Sequence, residues 1–418
     1  MNSIVLYLHM HQPLRLKHYS IFSVGQDHDY WTEKDWYAGT NNERIFKKVV
    51  EKSYRPMLAK IKKCITLYPS FKFSLSITGT FIEQAEKWAP DILDTLREFA
   101  QSGHLEIVAE TYYHSLAFFF DKEEFETQVR MHQDKIKELF GVTTKVFRNT
   151  EFSYNDDLAS WADEYGFKGI LAEGWEKVLG DHPTNLVYRP EGCKNIKLLV
   201  KNYHLSDDIA FRFPDKNWSE WPLTTDKYIG WLKKSAEDGP LINLFMDFET
   251  FGENIWADTG IFNFFEQLVS KWDRDPDCNF LTVSEACDSM EPQAEISVPW
   301  TVTWADTERD LSAWLGNSMQ HEAMKNLYDL KKDILALGDE KLIRDWRLLQ
   351  TSDHTYYMCT KFFDDGGVHA YFSPYDSPFD AFLYYMNTLR DVHLRIDEKT
   401  GKNDGQLPKP RVTSIELR

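Results

Sequence analysis

The stretch LINLFMD, residues 241–247, is an almost unbroken apolar run that ends in a carboxylate. Runs of this kind are typical of strands in parallel sheets, which are buried on both faces. A second run, KVF at residues 145–147, leads through Arg148 to another acid, Glu151. In barrels of parallel strands, side chains at the carboxyl ends project into the mouth where chemistry takes place. We therefore expect Asp247 and Glu151 to face one mouth.

Similar β-rich runs recur through the first part of the chain, each followed by a helix-like segment or a long loop. The predicted strands are 4–9, 71–77, 105–109, 145–150, 169–172, 196–201 and 241–246. The predicted helices between them include 43–68, 83–101, 122–140 and 155–165. Alternating strands and helices indicate an α/β fold with a parallel sheet. Seven strands favour a barrel over an open doubly wound sheet.

The pattern changes after residue 290, which suggests a second domain. We expect a (β/α)7 catalytic barrel over 1–290, a connector over 291–306, a helical bundle over 307–395 and an irregular tail over 396–418. Two connections within the barrel, 12–42 and 202–225, are long and rich in aromatic and charged residues. Long loops in compact domains are usually functional, so both are expected to overhang the mouth.

Composition excludes several classes of partner. The net charge of −18 argues against nucleic acid and against an anionic membrane surface, whereas a neutral sugar polymer is compatible. The five cysteines are odd in number and contain no CxxC pair, so neither a zinc site nor a disulfide framework is predicted. The first residues lack the basic region of a signal peptide and are too short an apolar run for a membrane span. We therefore expect a cytoplasmic protein; its oligomeric state is unknown.

The paired strand-end acids are the equipment for cleaving a glycosidic bond. Retaining glycosidases place two carboxyl groups about 5–5.5 Å apart, one to attack the anomeric carbon and one to protonate the leaving oxygen. Asp247 would have to stay protonated at neutral pH, as a partly apolar pocket or a nearby negative charge allows. Arg148 either keeps a neighbouring carboxylate ionised or forms a structural ion pair. The plain alternative is that each acid caps a helix or forms a surface ion pair.

A His-x-His at the end of the first strand supports a rival interpretation. His9 and His11 stand where amidohydrolase-type metal sites begin, and His114, His204 and Asp247 fall near later strand ends as further ligands would. The alternative is that one histidine faces the core while the other binds substrate. A strand-end lysine is not apparent, and Trp-rich loops fit a compact metal cage poorly. No metal and no other cofactor are therefore predicted.

Six segments in order resemble glycoside hydrolase family 57. They are HQP at 11–13, GHLEIV at 103–108, FRNTE at 147–151, LFMDFETFGE at 244–253, DLSAWLGN at 310–317 and DHTYYM at 353–358. The resemblance spans residues 4–395. It implies an incomplete (β/α)7, TIM-like barrel followed by an α-helical bundle that completes the substrate cleft.

The resemblance also implies a mechanism and a substrate. Glu151 corresponds to the family's nucleophile and Asp247 to its acid/base, and the α-amylase group that the fourth segment resembles acts on α-1,4-glucans. The substrate-binding residues that we predict are His11, Gln12, Trp31, Glu110, His114, Trp221, Asp310, Trp314, Asp353 and His354. The alternatives are a 4-α-glucanotransferase or branching enzyme using the same carboxylates, a metal-dependent amidohydrolase or deacetylase, and a glucan-binding protein without catalysis.

Overall fold

A computed structural model describes residues 1–34, 37, 39–361, 369 and 371–401. The chain divides into two compact units. The first comprises Met1–Pro13 and Glu43–Ala313, and the second comprises Leu14–Asn42 and Trp314–Arg418, as far as these are described. Most of the long connection 12–42, which we expected to belong to the barrel, is thus grouped with the C-terminal region.

The strands of the first unit are numbered β1 to β10. Their bounds are Asn2–Met10, Phe73–Ile77, Leu105–Ile107, Val146–Phe147, Gly169–Glu173, Val187–Pro190, Lys197–Lys201, Leu241–Asp247, Cys278–Phe280 and Ala294–Ile296. Seven of them coincide with the predicted strands. The other three, β6, β9 and β10, are only three or four residues long, too short for apolar periodicity to reveal them. Because β10 lies within 291–306, that segment is more than a connector.

The strands form two five-stranded sheets. One has the order β3-β2-β1-β8, with β9 also paired to β1, and its pairs are all parallel. The other has the order β10-β6-β7-β5-β4, in which only the β6–β7 pair is antiparallel. Backbone hydrogen bonds join the two sheets on both sides: Ala109 N–H donates to Val146 (2.9 Å), and Asn202 N–H donates to Asn243 (2.9 Å).

The α-helices are numbered α1 to α17. Their bounds are Asn42–Val49, Arg55–Leu67, Gly79–Trp88, Pro90–Gln101, Lys122–Phe140, Asp156–Tyr165, Glu176–Leu179, Tyr203–Asp207, Thr225–Ser235, Ile261–Asp273, Val283–Ser289, Ser312–Leu315, Ser318–Asp329, Lys331–Leu337, Glu340–Leu348, Ser352–Tyr356 and Pro378–Thr400. Within the described residues, no helix is both long enough and apolar enough to span a membrane.

Local sequence signals explain the helix boundaries. The helix α5 begins after Asp121, whose side chain accepts from Glu124 N–H, and ends at Gly141 in a left-handed conformation. The predicted helix 83–101 is divided between α3 and α4 at Pro90, which has no N–H to continue the ladder. The last helix, α17, continues to Thr400, into the segment that we expected to be irregular; residues 402–418 of that segment lie outside the described residues.

Each unit has its own apolar core. In the first unit, β1 and β2 contribute Leu6, Leu8 and Leu75 to a core that the surrounding helices cover with aromatic side chains such as Phe265. In the second unit, α13, α15 and α17 bury a separate cluster that includes Trp346 and Tyr385. The strands of the first unit therefore hold the side chains at their ends on a packed apolar core.

Candidate active site

Glu151 lies in a short 3-10 turn, Thr150–Phe152, that follows β4. Its backbone is left-handed, with φ 58°, and so is that of Phe152, with φ 53°. Such conformations are unfavourable for non-glycine residues and are concentrated at functional sites. The Glu151 side chain is 15% exposed.

Both oxygens of Glu151 contact hydrogen-bonding groups. The Oε1 atom lies 3.1 Å from His114 Nε2, and Oε2 accepts a hydrogen bond of 3.0 Å from Trp304 Nε1–H. Hydrogen bonds donated to a carboxylate favour its ionised form. The surroundings of Glu151 therefore suit a nucleophile, which must carry a negative charge to attack.

Asp247 is the last residue of β8, and the register of the sheet places it opposite His9 of β1. Its Oδ1 lies 3.4 Å from His9 Nδ1, and its side chain is 44% exposed. Asp247 is thus the more accessible of the two acids, at a strand end next to a buried imidazole.

A buried chain of side chains connects the two acids. The Oε2 atom of Glu110 lies 3.3 Å from His9 Nε2 and 3.3 Å from His114 Nδ1. Since His9 also contacts Asp247 and His114 also contacts Glu151, the order is Asp247, His9, Glu110, His114, Glu151. The side chains of the three middle residues are at most 3% exposed. Glu110 is fully buried beneath the histidines, and its contact with substrate stays a prediction.

The contacts of Glu110 and His114 determine the charge that each side chain carries. Burial opposes ionisation of Glu110, but the charge of His9, hydrogen bonds from His114 and His9, and the charge of Arg148 hold its pKa well below the usual value. Burial likewise opposes charging of His114, yet its hydrogen bonds to Glu110 and Glu151 raise its pKa to about 9. His114 therefore carries a proton on each ring nitrogen at neutral pH and donates to both carboxylates.

Arg148 lies behind the site and is completely buried. Its guanidinium group is stacked over the rings of Phe152 (5.0 Å) and Trp304 (5.1 Å), a cation–π arrangement. Its Nη1 lies 3.7 Å from Glu110 Oε2, and within the described residues none of its side-chain nitrogens has a hydrogen-bond acceptor. The sequence left open whether Arg148 supports a neighbouring carboxylate, and the structure identifies that carboxylate as Glu110.

A second buried acid, Glu249, lies close to Asp247. The Tyr54 hydroxyl donates a hydrogen bond to Glu249 Oε1. Burial, followed by the negative charge of Asp247, raises the pKa of Glu249 to about 8. The Glu249 carboxyl group is therefore mostly neutral at pH 7, which limits the repulsion between these two neighbouring acids.

The site also borders an ion cluster that sequence analysis missed. Lys201 ends β7 and contacts Asp207 (2.9 Å) and Glu173 (3.6 Å), and Arg309 contacts the same Glu173 carboxylate (3.1 Å). The ammonium group of Lys201 lies 5.9 Å from the ring of Trp304. Lys201 is therefore a lysine at a strand end, which the sequence analysis did not recognise although the predicted strand 196–201 ends at this residue.

Besides Glu110 and His114, four predicted substrate-binding residues lie in the first unit. His11 stacks on His114 with ring centres 4.1 Å apart and lies 3.0 Å from Thr78 Oγ1. Gln12 is buried, and its carbonyl accepts from Gln84. Trp221 is 43% exposed, and Asp310 is exposed and accepts from Ser312 N–H (2.8 Å). Of these four, His11 contacts the series of buried side chains that joins the two acids.

The remaining predicted binding residues lie in the second unit. Trp31 donates from Nε1 to Asp345 (3.0 Å), and its ring is 6.0 Å from that of His354. Trp314 is buried against Tyr356, which is the environment of a core side chain. Asp353 lies 3.5 Å from the Tyr357 hydroxyl group. Substrate contact by these residues stays a prediction.

The metal ligands considered from the sequence do not come together as a set. His9, Glu110 and His114 place one ligand atom each within 4.8 Å of one another. His204 is not in this group, and its Nε2 lies 3.2 Å from Glu176 Oε1. Arg148 Nη1, which lies 3.7 Å from Glu110 Oε2, already places a positive charge beside this group.

Trp304 is the contact to Glu151 that sequence analysis overlooked. It follows β10 in the segment that we expected to be a connector. The neighbouring Val302 forms an isolated antiparallel bridge with Tyr154, so the segment runs alongside the turn that holds Glu151. The β-branched residues at 301–303 were the available signal of an extended segment there.

The α/β fold thus carries two carboxylates, Asp247 at the end of β8 and Glu151 just after β4, which a series of buried side chains links. The family model described as glycosyl hydrolase family 57 matches residues 5–299. A protein of Methanocaldococcus jannaschii named "Putative alpha-amylase" is 41% identical over 408 residues, which cover 94% of this chain and 85% of that protein. The chain belongs to glycosyl hydrolase family 57, and the resemblance found in the sequence is confirmed.

Two other similarities are more distant. The 4-alpha-glucanotransferase of Thermococcus litoralis is 22% identical over 61% of this chain, which covers only 38% of that longer protein. The crystal structure of the family 57 branching enzyme of Pyrococcus horikoshii superposes with a TM-score of 0.70 at 13% identity, covering 98% of both chains. At that identity the similarity establishes the fold, including its C-terminal helical region, and nothing about activity.

Proposed function

We propose that this protein is a retaining glycoside hydrolase that cleaves α-1,4-glucosidic bonds in glycogen, starch fragments or maltodextrins. The observation that carries the proposal is the buried chain His9–Glu110–His114, which connects an accessible strand-end Asp247 to a hydrogen-bonded Glu151. The name of the Methanocaldococcus jannaschii relative, which this chain matches over 85% of its length, supports the substrate class.

The reaction would proceed by double displacement. The Glu151 carboxylate attacks the anomeric carbon while Asp247 gives its proton to the leaving glycosidic oxygen, and a glycosyl-enzyme ester forms. Asp247, now ionised, takes a proton from a water molecule, whose oxygen attacks the anomeric carbon and releases Glu151. The hydrogen bond from Trp304 and the contact with His114 suit Glu151 to act as both nucleophile and leaving group.

The family resemblance also implies that the strands of the two sheets form one barrel. We propose that β1, β2, β3, β4, β5, β7 and β8 form an incomplete (β/α)7 barrel. The backbone hydrogen bonds of Ala109 with Val146 and of Asn202 with Asn243 support this arrangement, since they join the two sheets along both sides. The acids would then project from the carboxyl ends of β4 and β8 into one mouth.

A 4-α-glucanotransferase or branching enzyme is the second candidate. It would use Glu151 and Asp247 in the same roles and differ only in whether water or a sugar hydroxyl group captures the glycosyl-enzyme. The sequence similarity to the Thermococcus litoralis 4-alpha-glucanotransferase favours keeping this candidate.

Product analysis on maltoheptaose, with and without EDTA, tests the proposal. We expect shorter sugars only, at a rate that chelation does not change. Products longer than the substrate would make the protein a transferase. Loss of all turnover with EDTA would favour the metal-dependent alternative, and binding of glucan without turnover would favour a binding protein.

Glu151→Gln tests the nucleophile in the same assay. We expect turnover to fall by at least about 1,000-fold, because the amide cannot form the glycosyl ester. Glu164→Gln is the matched control, since Glu164 is an exposed glutamate of the following helix α6 and is expected to leave turnover unchanged. A Glu151→Gln enzyme that keeps a tenth of the wild-type rate would rule out the assignment.

A further inference from the structure

The segment 303–310 is closed into a loop by two hydrogen bonds at its base. Thr303 N–H donates to the Arg309 carbonyl oxygen at 2.9 Å, and the Thr303 hydroxyl group donates to the Asp310 carbonyl oxygen at 2.9 Å. Within the loop, Asp306 (φ 57°) and Arg309 (φ 50°) both have left-handed backbone. Non-glycine residues keep this conformation only where their surroundings fix it. The loop therefore needs an anchor outside itself.

Arg309 supplies that anchor at the end of β5. Its Nη1 lies 3.1 Å from Glu173 Oε2, and its guanidinium group lies over the Tyr203 ring at 4.4 Å. Glu173 is the last residue of β5, and its side chain is completely buried. Lys201, which the register of β5 and β7 sets opposite Glu173, lies 3.6 Å from the same oxygen atom. One buried carboxylate oxygen thus holds one cation from the sheet and one from the loop.

The charge of Glu173 depends on these two cations. Burial raises its pKa above the usual value, and the charges of Lys201 and Arg309 oppose that rise. Loss of Arg309 would therefore raise this pKa further and remove the ion pair that attaches the loop to β5.

The loop carries Trp304, whose position matters for Glu151. Two cations flank the indole ring, with Arg148 at 5.1 Å and Lys201 at 5.9 Å from its centre. The indole Nε1–H donates to Glu151 Oε2 at 3.0 Å. A hydrogen bond weakens steeply with distance and angle, so a loop released from β5 would lose this bond without any change in Glu151 itself.

We propose that Arg309 is a positioning residue for the nucleophile. By binding Glu173 it fixes the loop 303–310, and the fixed loop keeps the Trp304 indole N–H on Glu151. The inference rests on the function proposed above, in which Glu151 attacks the anomeric carbon. Arg309 acts through Trp304, and nothing in the proposal requires it to touch the substrate.

The NMR signal of the Trp304 indole N–H tests the proposal without any turnover. With nitrogen-labelled tryptophan, the signal of Trp304 among the 14 tryptophans is the one that disappears in Trp304→Phe. Glu151→Ala, which removes the acceptor, gives the position of the signal without the bond. We expect Arg309→Gln to move the signal most of the way to that position. Arg309→Lys, which keeps a positive charge for Glu173, should leave it near the wild-type position.

Activity on maltoheptaose is the second readout. We expect Arg309→Gln to lower kcat/KM about 10-fold, because it disturbs the same hydrogen bond that Trp304→Phe removes. The double variant should be no slower than Trp304→Phe alone, since two residues that act through one interaction are not additive. Arg274→Gln is the matched control: this exposed arginine also lies over a tyrosine ring, that of Tyr68 at 5.9 Å, and should change neither readout.

An unmoved Trp304 signal in folded Arg309→Gln would overturn the proposal, and so would losses of activity that multiply in the double variant. Glu173→Gln weakens the same ion pair from the strand side and should move the signal in the same direction, so it decides the question if Arg309→Gln does not fold. A moved signal in a protein whose wild type has no turnover on maltoheptaose would support the positioning of Glu151 and overturn the proposed function alone.

Discussion

Trp304 contacts Glu151 through both its side chain and its backbone. The indole Nε1–H donates to Glu151 Oε2 at 3.0 Å, and the Trp304 backbone N–H donates to the Glu151 carbonyl oxygen at 3.4 Å. The first contact orients the carboxylate, and the second ties the segment after β10 to the left-handed turn at Glu151. A strained turn persists only when its surroundings fix it, and Trp304 is one of the residues that do so here.

Trp304→Phe should lower kcat/KM on maltoheptaose by about 10-fold, because a hydrogen bond to a charged group contributes about 1.5–3 kcal/mol. The phenyl ring keeps most of the packing on Arg148 and Phe152, so the thermal midpoint should change little. Trp300→Phe is the control, since Trp300 belongs to the same segment and is 50% exposed. Equal activity of both variants would show that the indole N–H does not support Glu151.

The two acids could be found from sequence because they depend on a local pattern. Each follows an apolar run, and the carboxyl end of a buried parallel strand is where a polar side chain becomes accessible. Asp247 and Glu151 accordingly lie at the ends of β8 and just after β4. The register that sets His9 beside Asp247 is a property of strand pairing, which no single run of sequence contains.

The buried chain between the acids could not be found in this way. Glu110 and His9 are 101 positions apart, and they meet only because β1 and the end of β3 lie in the same sheet. The sequence therefore did not reveal that Glu110 is a buried partner of His9 and His114. The short strands β6, β9 and β10 were missed for a related reason, since three or four residues do not show a period.

Asp247→Asn should lower turnover of maltoheptaose by at least about 100-fold, because the amide cannot protonate the leaving oxygen. A substrate with a good leaving group, such as an aryl α-glucoside of a maltodextrin, needs no proton and should restore the rate of the first step. The measurement is the burst of released phenol, which reports formation of the glycosyl-enzyme. If the burst is as slow as with maltoheptaose, Asp247 is not the acid.

Glu249 should make the folded protein less stable as pH rises. Its pKa is about 8 when folded, above the usual 4.5, so between these values the folded state binds a proton that the unfolded state has lost. Stability due to this group is fully present below about pH 4.5 and is lost as pH rises to about 8. The loss is on the order of 5 kcal/mol.

Glu249→Gln tests this effect, because an amide neither titrates nor becomes charged in the buried position. Urea unfolding at a series of pH values between 5 and about 8.5 should show a flatter dependence for the variant than for the wild type. His114, whose pKa is raised to about 9, contributes its own loss of stability at higher pH in both proteins, so the difference between them isolates Glu249. Parallel curves would contradict the assignment.

Gly252, just after the Asp247 strand end, should tolerate no side chain. Its φ of +109° is unfavourable for other residues, and an added Cβ would lie 2.1 Å from the Lys52 carbonyl oxygen. We expect Gly252→Ala to destabilise the protein by more than about 2 kcal/mol, because backbone at β8 or at the π-helical turn Val50–Tyr54 must shift.

Gly230→Ala is the opposite case: Gly230 lies within α9 with open space around its Cβ position, so alanine should stabilise by about 0.5–1 kcal/mol. Chemical denaturation of both variants measures the two changes in the free energy of unfolding, which should have opposite signs. Destabilisation of the same size in both variants would show that the close approach to Lys52 does not explain the effect at Gly252.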